Sequence, residues 1–89
     1  MKTVITFGTF DVFHVGHLRL LQRARALGER LLVGVSSDAL NIAKKGRAPV
    51  YHQDDRMAII AGLACVDGVF LEESLEQKRS ICAGTVRIF

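Results

Sequence analysis

The chain alternates between two hydrophobic periods. Thr3-Val4-Ile5-Thr6-Phe7 is β-branched and aromatic and stops at Gly8, which predicts a short buried strand. From Val15 the spacing becomes helical: Val15, Leu18, Leu21, Ala24, Ala26 and Leu27 recur on one side, with Arg19, Gln22, Arg23 and Arg25 mostly on the other. Gly28 then stands where a helix C-cap is expected. Leu31 to Val35 is a second apolar run of strand length, and Ser36-Ser37-Asp38 offers a cap for a short helix to about Ala43. Lys44 to His52 has no periodicity and holds the only proline, so it is expected to be a loop. Gln53-Asp54-Asp55 opens another helix, with Met57, Ile60 and Leu63-Ala64 as its buried stripe. Val69 to Leu71 predicts a third strand, Ser74-Leu75-Glu76-Gln77 the start of a further helix, and Thr85 to Phe89 a fourth strand.

Strands and helices joined by short links imply βαβ units and a parallel sheet, an α/β, Rossmann-like fold in a single domain over residues 1–89. In such sheets a ligand binds outside the carboxyl ends of the strands, where the strand order reverses. Gly8 to His14, Ser36 to Asp38 and the start of the third helix all emerge at that edge. One site is therefore expected before any motif is considered.

Composition narrows the partners. With 49% hydrophobic and 24% charged residues the chain has the make-up of a globular domain, and its net charge of +3 suits an anionic ligand. Charge alone would also suit nucleic acid, but no aromatics are interleaved with the basic run Lys44-Lys45-Gly46-Arg47, so nucleic acid is not expected. The apolar runs are too short for a signal-peptide core or a membrane span, which makes a cytoplasmic setting the expectation. Cys65 and Cys82 form no metal-spaced pair, and Cys65, in an apolar run, is expected to be a buried thiol.

The stretch from Gly8 to His17 (Gly-Thr-Phe-Asp-Val-Phe-His-Val-Gly-His) carries the chemistry. Gly8 ends a strand, where a missing side chain lets backbone approach a ligand. His14 and His17 are three apart at a helix opening and project from nearly the same side. A helix start with open amides and the positive end of the dipole is a phosphate site, and two imidazoles beside it can donate to phosphate oxygens. Gly16 leaves room for a phosphate chain to pass. A zinc pair would prefer a spacing of four, and the glutamate of the helical zinc-protease motif is absent, so no metal ligands are expected here.

This string resembles the His-x-Gly-His signature of the nucleotidyltransferase superfamily, preceded by a Gly-Thr-Phe-Asp strand end. Within that superfamily the chain most resembles the glycerol-3-phosphate cytidylyltransferases. The likeness continues through Leu20-Leu21, Arg23-Ala24, Leu27-Gly28, Ser36, Asp38 and Asn41. It then runs through Lys44, Tyr51-His52, Arg56, Val66-Asp67 and Glu76-Gln77-Lys78, to roughly residue 80. The resemblance implies a sheet of order 3-2-1-4-5 and transfer of CMP from CTP to a small phosphorylated alcohol such as glycerol 3-phosphate, releasing pyrophosphate. Magnesium would ride on the nucleotide phosphates. With strand four short and strand five absent, the open sheet edge would pair with another chain, so a homodimer or larger oligomer is expected.

The resemblance also implies roles. Gly8, Thr9, Phe10, Val15 and Gly16 would line the nucleotide site, with Thr9 and Phe10 holding phosphates partly through backbone amides. His14 and His17 would stabilise the pentavalent α-phosphate and the departing pyrophosphate. Lys44 and Lys78 would contact the acceptor's phosphate, Lys44 taking part in catalysis. The family's next lysine is replaced by Gly46, so Lys45 or Arg47 would face the nucleotide instead. Asp11 would orient the loop or help place magnesium on the substrate side. Arg56 is expected to pair with a carboxylate at a helix start or a subunit contact, and Asp38 to cap a helix.

Two departures redirect the reading. Ala64 replaces the family's glycerol-phosphate arginine, and Lys45-Gly46-Arg47-Ala48-Pro49-Val50 resembles relatives that activate sugar phosphates. The family's later Gly-Asp-Asp-Trp and Arg-Thr-x-Gly-x-Ser-Thr-Thr segments do not occur in these residues, and the likeness lapses from Ile81. The chain is thus expected to be a truncated copy. A nucleotide-binding remnant without turnover is the alternative, and the residues that read the base would lie outside it.

Overall fold

The computed structural model describes residues 2–73 and 87–88. Four strands, β1 (Thr3–Gly8), β2 (Arg30–Ser36), β3 (Gly68–Glu72) and β4 (Arg87–Ile88), form one sheet of order β3-β2-β1-β4. Every pairing is parallel. Three helices, α1 (Val15–Ala26), α2 (Asp38–Lys45) and α3 (Gln53–Ala61), occupy the connections between β1, β2 and β3. The α/β parallel sheet expected from the hydrophobic pattern is the one observed.

Register explains the position of the site. Thr3 pairs with Arg30 and Gly8 with Val35, while Val35 pairs with Leu71 and Ser36 with Glu72. The three strands therefore end together, and the chain leaves β1 and β2 at one edge. β4 pairs with β1 on its other side, Val4 with Arg87, so the order of strands reverses at β1. Val4 and Ile5 point to opposite faces, as successive strand residues must, and both are buried. Leu21 and Ala24 from α1 and Ile60 from α3 complete one core with Val4, Leu31 and Val33.

Several boundaries differ from the sequence reading, each for a local reason. α2 runs two residues past Ala43, because Gly46 takes a left-handed cap (φ 77°) whose amide donates to the Ile42 carbonyl. Lys44 and Lys45 are therefore helical rather than loop residues. Ser37, not Asp38, caps α2, its hydroxyl accepting from the Leu40 amide at 3.0 Å. At the end of α1 the cap is Leu27 in right-handed geometry. A Cβ at Gly28 would lie 2.8 Å from the Lys2 carbonyl oxygen, so the glycine serves close approach rather than a left-handed turn. α3 stops at Ala61; Leu63 follows it half-buried, and Ala64 is exposed. Cys65 is a free thiol, half-buried against the core rather than inside it. The expected helix from Ser74, with Lys78, and Cys82 lie outside the described residues. Among the described residues no helix is long and apolar enough to cross a membrane.

Candidate active site

A cleft of about 590 Å³ opens at the carboxyl end of β1, within the range of small-ligand sites. Its lining comes from the β1–α1 loop (Gly8 to Asp11), from α1 (His17), from α2 (Asn41, Lys45) and from the α2–α3 loop (Arg47 to Val50). This is the switch-point position expected of the sheet. Of the residues singled out from sequence, Gly8, Thr9, Phe10, Asp11, His17, Lys45 and Arg47 meet there.

Lys44 does not. Successive helical residues are turned about 100° apart, whereas residues four apart share a face. Asn41 and Lys45 are such a pair and both reach the cleft, which leaves Lys44, exposed, outside its lining. Both substitutes considered for the residue at Gly46, Lys45 and Arg47, border the cleft together.

The β1–α1 loop is held in an uncommon conformation. Phe10 (φ 51°) and Val12 (φ 48°) are both left-handed, which for non-glycine residues costs on the order of 1–3 kcal/mol each. Two clasps hold it. The Phe10 ring is buried in the core, folded back over Gly8, where an added Cβ would approach it to 2.8 Å. Gly8 thus makes room for the Phe10 ring while its own backbone borders the cleft.

Asp11 is the second clasp. Its Oδ1 accepts from the amides of Val12 (3.1 Å) and Tyr51 (2.9 Å), and its Oδ2 from Val50 (2.7 Å). Burial alone would raise its pKa, but the amides of Tyr51, Val50 and Val12, with the Arg56 charge, hold it below the usual value. Of the two roles open to Asp11, the geometry shows the loop-orienting one.

The start of α1 is closed by its own histidines. His14 is the N-cap; its Nδ1 accepts from the Gly16 amide at 3.0 Å, and the His14 amide donates to His17 Nδ1 at 3.1 Å. The helix start is therefore capped, not a row of open amides. Gly16 serves this cap as well: a Cβ there would lie 2.7 Å from the His14 ring, so the space is filled by imidazole. With both Nδ1 atoms accepting, the neutral rings carry their protons on Nε2 and keep those N–H groups for a ligand. The two rings lie 4.0 Å apart, His17 stacked on Phe13 at 5.3 Å. Burial, then the neighbouring His14, lowers the His17 pKa. His17 borders the cleft; His14 and Val15 stand beside it and outside its lining.

Arg56 ties these parts together. Fully buried, it donates to the carbonyls of Tyr51, Thr9 and Ser36 at 3.0, 2.8 and 2.7 Å and to Asp38 Oδ1 at 2.6 Å. The expected carboxylate at a helix start is Asp38. Burial would raise the Asp38 pKa, but the Arg56 hydrogen bond, the Gln53 amide and the charges of Arg56 and His52 lower it. Asp38 and Gln53 also exchange bonds, each backbone amide donating to the other's side chain, which pins the starts of α2 and α3 to one another. Glu72 was not foreseen: it is buried at the end of β3 and accepts from the Ser36 hydroxyl at 3.3 Å. A carboxylate closing an apolar strand at this edge was the signal for it.

Fold and site together define a parallel α/β domain with a basic cleft at its switch point. A family model described as cytidylyltransferase-like matches residues 5–86, and the chain belongs to that family. It is similar to the glycerol-3-phosphate cytidylyltransferase of Bacillus subtilis (strain 168), 45% identical over 80 residues, covering 89% of this chain and 60% of the relative. It is also 48% identical over 79 residues to the bifunctional protein HldE of Shewanella denitrificans, covering 85% of this chain and 17% of that one. The crystal structure of the lipopolysaccharide core biosynthesis protein from Thermoplasma volcanium GSS1 superposes with a TM-score of 0.82 at 29% identity, covering 93% of this chain and 67% of that one. The chain thus spans about 60% of the length of the curated cytidylyltransferase it matches.

Proposed function

We propose that this domain is the nucleotide-handling part of a nucleotidyltransferase that moves CMP from CTP to a small phosphorylated alcohol such as glycerol 3-phosphate. The acceptor's phosphate oxygen attacks the α-phosphorus, the bond from the α-phosphorus to the α–β bridging oxygen breaks, and pyrophosphate leaves. No covalent enzyme intermediate is required. Positioning and charge stabilisation therefore carry the catalysis.

The observation that supports this most is the convergence of His17, Lys45 and Arg47 on one cleft at the end of β1. The cationic side chains suit the triphosphate tail, and the Nε2–H donors of His14 and His17 suit the oxygens on which charge builds at the α-phosphorus and the leaving pyrophosphate. Lys44, outside the cleft lining, and Lys78 remain proposed contacts for the acceptor's phosphate. Among the described residues no group of three or more His, Cys, Asp or Glu could hold a metal ion. Magnesium would be brought in on the nucleotide, since this hard ion is held largely by phosphate oxygens and water. When bound it would neutralise charge on the phosphates.

A sugar phosphate is the second reading of the acceptor, with CTP or ATP as donor. It is favoured by the 48% identity to HldE and by the likeness to a lipopolysaccharide core biosynthesis protein. A pyrophosphate-release assay crossing CTP and ATP with glycerol 3-phosphate and a panel of sugar phosphates separates the readings. Release with CTP and glycerol 3-phosphate alone supports the first. Release only with a sugar phosphate replaces it by the second. Nucleotide binding with no release in any pairing would leave the chain as a binding domain without turnover.

A further inference from the structure

Asn41 is 2% exposed, and its amide nitrogen donates to the carbonyls of Ser37 (2.9 Å) and Ser36 (3.4 Å). This fixes which way the amide faces. Flipping it would set its oxygen against two carbonyl oxygens, so Oδ1 must point to the remaining partner, the Thr9 hydroxyl at 3.0 Å. An amide oxygen only accepts. Thr9 must therefore give its single proton to Asn41, and its oxygen offers only lone pairs to the cleft. Lys45 Nζ lies 3.5 Å from that oxygen, at the outer limit of a hydrogen bond, and Lys45 is one turn beyond Asn41 on the same face of α2.

We propose that Thr9 is a positioning residue: locked as an acceptor by Asn41, it holds the Lys45 ammonium over the cleft and does not itself donate to phosphate. The inference rests on reading the cleft as a triphosphate site and deepens that reading. A bare hydroxyl could turn its proton toward a phosphate oxygen; this one meets such an oxygen lone pair to lone pair. The phosphate is met by the ammonium, and Thr9 sets where that ammonium stands.

A double-mutant cycle on the full chain tests this, with CTP and inorganic pyrophosphate as probes and affinity read by calorimetry. Thr9→Val removes the acceptor at nearly constant volume, Thr9→Ser keeps it, and Lys45→Met removes the charge. Thr9→Val should weaken CTP binding about fivefold and Lys45→Met about tenfold, and the double variant should stay near tenfold, because the two changes remove one interaction. Thr9→Ser should bind as the parent does, with melting temperatures showing that all variants fold. Losses that multiply to about fiftyfold in the double variant would show that Thr9 contacts the ligand on its own, overturning the inference while leaving the cleft reading intact. A Thr9→Ser variant as weak as Thr9→Val would also overturn it, since the hydroxyl would then not be what matters. Failure of the unaltered chain to bind either probe would overturn the cleft reading, and this inference with it.

Discussion

The imidazoles at the start of α1 use their two nitrogens differently. Nδ1 of each accepts a backbone N–H and closes the helix, so Nε2–H is left to meet a phosphate oxygen. If the donors act on the transition state, His14→Ala or His17→Ala should lower turnover about 10²–10³-fold while CTP affinity changes much less. Steady-state kinetics in the form of the protein that turns CTP over checks this, and a loss below tenfold at both positions would refute it. The same geometry makes the helix start sensitive to acid, because a protonated ring has no lone pair on Nδ1. The His17 pKa is lowered in the folded protein from its usual 6.5, so below 6.5 the unfolded chain binds protons first. Stability is then fully present above 6.5 and falls as pH drops through the folded value. Glutamine at this third helical position keeps a capping acceptor without titrating. Thermal unfolding of His17→Gln should therefore lose less stability between neutral pH and pH 5 than the parent, and equal losses would refute the assignment.

At the scale of elements, Arg56 does what no single helix could: it joins the β1–α1 loop, the end of β2, the start of α2 and the α2–α3 loop. Removing it takes a donor from the carbonyls of Tyr51, Thr9 and Ser36 and leaves the Asp38 carboxylate without its cation. Arg56→Ala should thus destabilise the fold by about 3–5 kcal/mol, and Arg56→Lys, whose ammonium cannot reproduce the fork, should recover only part of it. Urea unfolding of the three proteins decides this; a lysine variant as stable as the parent would show that charge alone suffices.

The pairing of Arg56 with a carboxylate at a helix start was legible in sequence, as were the strands, the parallel order and the converging edge. Those features follow from hydrophobic period and connection length, which are local. The role of Gly46 was not legible, because whether a glycine ends a helix or sits in a loop depends on its φ. That one cap moved Lys44 and Lys45 onto a helix face and decided which of them reaches the cleft. Gly8 and Gly16 carry a further duty for a related reason: each makes room for a ring, Phe10 and His14, a matter of placement that spacing does not report. The burial of Glu72 depends on register between β2 and β3, also a non-local property.

Across the whole molecule, the clasp that shapes the cleft also shapes the outer surface. By gathering the amides of Val12, Val50 and Tyr51 onto one carboxylate, Asp11 ties together the backbones of three residues that are 50%, 77% and 42% exposed. Single exposed apolar residues need no explanation, but three whose backbones are tied to one carboxylate offer a surface for association. The partner expected is a second copy of the chain. Two-fold pairing through this patch would lay the β1–α1 loop of one copy against that of the other, covering the strained and exposed Val12. Sedimentation of the protein should then show a concentration-dependent dimer. Val50→Glu should shift it to monomer while leaving the clasp in place, since only the amide of Val50 bonds to Asp11. A monomer at all concentrations, or a dimer indifferent to Val50→Glu, would show that this patch is not where two copies meet.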